Sequence, residues 1–271
     1  MRLYRFWAPT TTVVEDWGEP FEIVTYGYSN ESLAEALRVA DERAGATINW
    51  IRTKRRSGQY YGGERPLREE IVDEVVLDDR LVAIISRNSY GSLILNTEDV
   101  FFADVDLPRR KWSLFRKKQS FEEVLVDRIR TAVDTNRSLR LRLYRTKAGY
   151  RIMVVSDLVR AGTASSADLL RQLGSDKVYV ALCKTQDSYR ARLTPKWWRI
   201  PSRRPPSRFP FSSADQEAAY RAWERDYSDV AARFATCALI AEFGSGHVHH
   251  IADVITKLHD RWALNDPHPL A

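Results

Sequence analysis

The sequence predicts an α+β protein folded as a single compact domain of mixed sheet and helix, and three observations predict it. Stretches with the two-residue alternation of strands and stretches with helical spacing of apolar residues interleave along all 271 residues. Hydrophobic residues make up 44% of the chain and charged residues 29%, the balance of a soluble globular protein able to bury a large core. No internal repeat or low-complexity linker divides it. The expected organisation is a small N-terminal lobe over 1–78, a core over 79–200 and a C-terminal helical extension over 201–271.

Leu3 to Trp7 and Phe21 to Tyr28 read as strands. Ser32 and Glu35 then have capping-box spacing at the head of an Ala/Leu/Arg-rich helix reaching about Arg43. A strand is expected near Thr47 to Thr53, a loop over Arg55 to Gly63, and a proline-initiated helix from Pro66 to Val76. Leu81 to Arg87 and Ser92 to Asn96 read as strands joined by the tight turn Asn88-Ser-Tyr-Gly91, and a third strand runs into Asp104. An amphipathic helix over Ser120 to Asp134 precedes two strands around Lys147-Ala-Gly149. Ser165 to Leu173 reads as helix, Lys177 to Lys184 as strand and Tyr189 to Leu193 as a short extended piece. Pro195 to Pro210 is too proline-rich for regular structure and reads as a clamped surface loop. Ala214 to Arg233 is a long helix, Thr236 to Phe243 a strand and Val248 to Trp262 the last helix.

Composition also excludes several classes. No apolar run approaches the ~20 residues needed to cross a bilayer, and the N-terminus lacks the apolar core of a secretion signal, so a cytoplasmic protein with no membrane partner is expected. Cys183 and Cys237 have no metal-ligand spacing and predict no disulfide framework. The net charge of +6 is unevenly spread. Residues 1–106 carry 12 basic and 19 acidic side chains, 107–160 carry 15 and 5, and 185–210 carry 7 and 1. Basic charge concentrated mid-chain points to a polyanion partner.

The chemistry-bearing stretch is Val100-Phe-Phe-Ala-Asp-Val-Asp-Leu-Pro108. On a strand Asp104 and Asp106 project from one face, and two like charges so close call for a metal or basic neighbour. Hard cations, Mg²⁺ or Mn²⁺, prefer such oxygens; the plainer reading is a strand end with Asp serving the turn. A second constellation begins at Leu139, where leucines alternate with Arg140 and Arg142 and a hairpin can gather Arg145, Lys147 and Arg151 to grip phosphate. A third puts Arg190 and Arg192 on one strand face, with Trp197 and Trp198 as stacking surfaces suited to single-stranded nucleic acid, or else as core or loop anchors.

These motifs together resemble the catalytic core of archaeo-eukaryotic primase-type polymerases, and are most similar to the polymerase domains of bacterial end-joining ligases. The resemblance covers about residues 80–200 and implies that Asp104 and Asp106 hold the metals, while Lys147 and Gly149 form a turn before the strand that carries the family's phosphate-contacting histidine. Arg151 stands at the histidine position here; it can hold phosphate but cannot shuttle protons as imidazole does. The resemblance also implies a third acid, with Asp187 the first candidate and Asp176 the second. The chain is also similar to uncharacterised bacterial proteins that share a Leu-Thr-Pro-Lys-x-Trp-Arg segment.

Near the C-terminus His247, His249, His250 and His259 cluster with Asp253 and Asp260. Helical spacing permits a metal pair, and a structural or capping role is the expectation. Two functions follow. One is a metal-dependent nucleotidyltransferase acting on nucleotides or nucleic-acid ends; the other is a non-catalytic nucleic-acid-binding protein on a degenerate primase-like fold.

Overall fold

The computed structural model describes residues 1–15, 19–54, 66–108, 120–265 and 267–271. The loop expected over Arg55 to Gly63 lies outside the described residues. The chain opens with a hairpin, β1 (Phe6–Val14) and β2 (Phe21–Ser29), against which α1 (Leu33–Lys54) packs. Ser32 accepts the Glu35 amide through Oγ at 3.1 Å, half of the expected capping box. Gly27 sits where a Cβ would lie 1.9 Å from the Ala36 carbonyl, so the helix closes directly onto the strand.

Two four-stranded antiparallel sheets form the rest of the scaffold. The first runs in the order β3 (Glu70–Leu77), β4 (Arg80–Arg87), β5 (Leu93–Thr97), β9 (Tyr189–Arg192). The second runs β10 (Cys237–Phe243), β7 (Leu141–Thr146), β8 (Gly149–Val154), β6 (Phe102–Asp106). Both contribute to one core: Val82, Leu95 and Ala191 from the first sheet and Phe102, Leu143 and Ile152 from the second belong to a single buried cluster. This is the α+β class expected from the interleaved patterns.

The second sheet is covered on both faces. On one face α2 (Phe121–Thr135) buries Leu125, Ile129 and Ala132, its N-terminus closed by a complete Ser120/Glu123 capping box. On the other lies α6 (His250–Ala263), which buries Ile251, Ala252, Ile255 and His259. The short helices α3 (Ala164–Gln172) and α4 (Lys177–Gln186) follow β8. Next, α5 (Ala214–Ala231) carries Tyr220, Trp223 and Tyr227 into a smaller cluster with Ile200. No helix among the described residues is long and apolar enough to cross a membrane.

Several sequence expectations are corrected. Residues 47–53 continue α1 rather than forming a strand, and residues 70–76 form β3 rather than a helix. Residues 177–184 are helical, because Asp176 caps α4 by accepting the Val178 and Tyr179 amides at 2.6 and 3.0 Å, overriding the strand preference of Val178 and Val180. The lobe boundary expected after residue 78 falls inside the Asp78-Asp79 turn of the β3–β4 hairpin, so β3 belongs with the sheet that follows it. Residues 201–271 are likewise no mere extension, since β10 and α6 complete the second sheet and the core.

Candidate functional site

The Asp-x-Asp stretch forms β6, and its strand neighbour is β8. Asp104 lies directly opposite Arg151, and Asp106 opposite Gly149. Pleating then puts Asp104, Asp106, Arg151 and, across β7, Tyr144 on the face that meets α6.

Arg151 is only 3% exposed and every direction of its fork is occupied. Nε donates to Asp104 Oδ1 at 2.9 Å, Nη2 faces Oδ2 at 3.4 Å, and Nη1 donates to the Arg192 carbonyl at 3.0 Å and to His259 Nε2 at 3.2 Å. Burial opposes the charge, but Asp104 outweighs it and the guanidinium stays firmly protonated. His259 is fully buried and burial pulls its pKa down to about 4, so the ring is neutral at pH 7. An arginine cannot accept a proton bond, so Nε2 is the acceptor and Nδ1–H donates to Asp260 Oδ1 at 2.9 Å. Asp260 also receives Tyr144 Oη–H at 2.9 Å and Arg142 Nη1–H at 2.6 Å. The result is one continuous chain of contacts from Arg142 to Asp104, with Tyr144, His259 and Arg151 buried and Asp104 partly exposed at one end.

Asp104 faces a cavity of about 480 Å³ on the other side, lined also by Glu69, Tyr90, Arg190, Arg192 and Lys196. Arg190 is paired with buried Glu69 at 2.7 and 2.8 Å, Glu69 also receiving Ser86 Oγ–H at 2.6 Å. Arg192 and Lys196 form no hydrogen bond or ion pair through their side chains among the described residues. Burial and the nearby Arg151 charge lower the pKa of Arg192 to about 10. Burial, Arg192 and Arg199 likewise lower that of Lys196, against the opposite pull of Asp106 and Asp104. Cations are thus crowded together at the cavity with carboxylate charge enough for only some of them.

The hairpin cluster is split. Arg145 stacks over Tyr150 at 4.5 Å on the α2 face, opposite the face that carries Arg151, because neighbouring positions in a strand alternate. Lys147 donates to the Leu270 carbonyl at 3.1 Å. The gathering of Arg145, Lys147 and Arg151 around one phosphate is therefore corrected, and Arg151 is tied up in the protein itself. Both third-acid candidates serve the ends of α4: Asp176 caps its start, and Asp187 ends it with a left-handed backbone and pairs with Arg160 at 2.9 Å. Neither lines the cavity of Asp104. Of the C-terminal histidines, His249 caps α6 through Nδ1, which accepts the Ile251 amide at 3.2 Å, and stacks on His250 at 4.7 Å. Asp253 is paired with Lys257 at 2.6 Å.

The arrangement tests the expected Mg²⁺ or Mn²⁺ on its donor set. Asp106 is exposed and forms no ion pair among the described residues, but both oxygens of Asp104 face Arg151, with Arg192 and Lys196 close by. A dication would compete with a guanidinium already in place and with two further cations. As arranged, these residues do not fit a two-metal centre. Glu69, His259 and Asp260 are the site's neighbours that the sequence did not single out for these places. Glu69 meets Arg190 across 121 residues and His259 meets Arg151 across 108, separations no local pattern encodes.

No protein-family model, no curated protein and no solved structure matches this chain.

Proposed function

We propose that the protein binds a phosphate-bearing ligand, a nucleotide or a nucleic-acid end, in the Asp104 cavity without catalysing nucleotidyl transfer. One observation carries this reading: Arg192 and Lys196 converge on the cavity with no ion-pair partner among the described residues, and both are depressed in pKa by burial and by neighbouring positive charge. Such a cluster is costly until an anion arrives, and a phosphate relieves the repulsion while satisfying donors that water serves less well. The Asp104–Arg151 pair then acts as a fixed wall that sets the position of the Arg192 backbone.

Calorimetric titration with ATP in the presence of a chelator tests it. Binding should be seen with wild-type protein and fall at least about tenfold in Arg192→Gln and in Lys196→Gln, a loss of ~1.4 kcal/mol or more per charged hydrogen bond. No heat of binding at low salt would remove the nucleotide.

Metal-dependent nucleotidyl transfer is the second reading, favoured by the shared strand face of Asp104, which lines the cavity with Lys196, and Asp106. It requires Arg151 to yield Asp104. Mn²⁺-dependent nucleotide incorporation, abolished by Asp104→Asn and Asp106→Asn, would establish it over the binding reading.

A further inference from the structure

The segment after β9 carries more positive charge than the cavity uses. Between residues 196 and 208 lie Lys196, Arg199, Arg203, Arg204 and Arg208, with no aspartate or glutamate. None of the five forms an ion pair among the described residues, and Arg203, Arg204 and Arg208 are exposed. The segment is nonetheless pinned down. Trp223 Nε1–H donates to the Arg203 carbonyl at 2.8 Å, Ser207 Oγ–H donates to the Gln216 carbonyl at 3.0 Å, and Phe211 packs on Tyr220 at 5.0 Å. These contacts strap its backbone to α5, so the positions that carry its cations are set before any ligand binds.

Where the strap starts, Trp198 stands 46% exposed against Tyr90, 44% exposed, edge to face at 5.1 Å. Lys196 Nζ lies 5.1 Å over the Trp198 ring. Tyr90 sits on a braced turn: Asn88 Oδ1 accepts the Tyr90 and Ser92 amides at 3.0 and 3.1 Å, and the positive-φ Gly91 is backed by Trp223. Tyr90 and Lys196 also line the cavity, which makes the strap, the rings and the phosphate site continuous. Fixed exposed rings among unpaired cations match the chemistry of unpaired bases joined by phosphates. A duplex hides its base faces, and an acidic protein would use the cations but leave the rings without a purpose.

We propose that the 196–208 strap and the Tyr90–Trp198 ring pair form a track for single-stranded nucleic acid that leads into the Asp104 cavity, an inference that rests on the cavity's holding a terminal phosphate. Arg203, Arg204 and Arg208 meet backbone phosphates, Trp198 stacks on a base, and Lys196 passes the strand end to Arg192.

Fluorescence anisotropy of a labelled oligothymidylate of about twelve nucleotides tests it, with heparin as a polyanion that has no bases. Joint Arg203→Ala, Arg204→Ala and Arg208→Ala substitution, confined to exposed side chains, should weaken oligothymidylate binding about tenfold and lower the slope of log affinity against log salt by about two. Binding of ATP should be unchanged. Trp198→Ala should weaken the oligonucleotide about tenfold, leave the salt slope as it was and spare heparin. Wild-type affinity and slope in the triple variant would overturn the track. Equal binding of heparin and oligothymidylate, both indifferent to Trp198→Ala, would also overturn it and mark the strap as a surface for acidic partners in general. A wild-type protein that binds the strand through these residues but binds no ATP would uphold the strap and rings as the strand's surface and overturn both the cavity reading and the strand's path into the cavity.

Discussion

Arg151 divides its donors among Asp104, the Arg192 carbonyl and His259, so its removal orphans three partners at once. Arg151→Met should cost about 3–5 kcal/mol in urea unfolding, because it leaves a carboxylate facing a cavity and two acceptors dry; adding Asp104→Leu should recover much of that loss. An additive double variant would show that the pair is not coupled. His259 gives a second prediction, with a definite sign. Its folded pKa, pulled by burial to about 4, lies below the ordinary value of 6.5. As pH falls the unfolded chain therefore takes up the proton first, and stability is fully present above pH 6.5 and declines below it. Between pH 6.5 and 5 the decline should be about 2 kcal/mol in wild type, whereas His259→Gln, less stable throughout, should lack that component. Urea midpoints at pH 5 and 7 measure it, and a flat wild-type profile would mean that the native ring binds a proton after all. At this scale the face shared by Asp104 and Asp106 is legible from strand alternation alone. The fate of Arg151 is not, since it is settled by His259 arriving from a helix 108 residues later.

Among the elements, the hairpin of β7 and β8 and its pairing with β6 place the site, and Gly149 is the point of closest approach. A Cβ there would lie 2.1 Å from the Val105 carbonyl and 2.9 Å from Asp106 Cα, both backbone atoms that cannot swing aside. Gly149→Ala should therefore destabilise by about 3 kcal/mol and loosen the Asp104–Arg151 register, seen as a lower urea midpoint together with weaker ATP binding. A neutral effect would show that β6 can shift at its open end. The elements that sequence patterns misread share a cause. β3 begins with Glu70 and contains Asp73 and Glu74, good helix formers or turn residues, yet pairing with β4 across the Asp78-Asp79 turn makes it a strand. In α4 the opposite happened: Val178, Tyr179 and Val180 favour a strand locally, and the Asp176 cap with Cys183 in the core makes the segment helical. In both, residues outside the segment's own periodicity decide the outcome, a paired strand for β3 and a capping residue for α4. By contrast β4, β5, β6 and the β7–β8 hairpin, with buried apolar runs and glycine-marked turns, form where the pattern puts them.

The whole molecule divides unequally, and this governs what can be removed. Leu3 ahead of β1, Trp7 in β1 and Ala36 and Ala40 in α1 are buried, but none belongs to the main core cluster. Cys237, Ile251, Ala252, Ile255 and Ala263 do, although they come from the last quarter of the chain. Sequence patterns set both ends apart from the core, 1–78 as a small lobe and 201–271 as an extension, because a strand at Thr236 to Phe243 can be read locally but its pairing with β7 cannot. β10 forms one edge of the second sheet, and α6 supplies both the cover over Met153 and the histidine that fixes Arg151. A chain beginning at Pro66 should thus remain folded, with a cooperative urea transition and ATP binding within about threefold of the full protein, for it keeps every residue of the main cluster. A chain ending at Ser213 should not fold. It loses five core side chains along with the partner of Arg151, and at ~1–3 kcal/mol for each larger apolar residue plus an orphaned buried charge the loss rivals the ~5–15 kcal/mol that separates most domains from unfolding. Circular dichroism and urea titration of the two truncations decide the matter. A folded 1–213 fragment, or an unfolded 66–271 fragment, would show that the weight of the core lies at the other end.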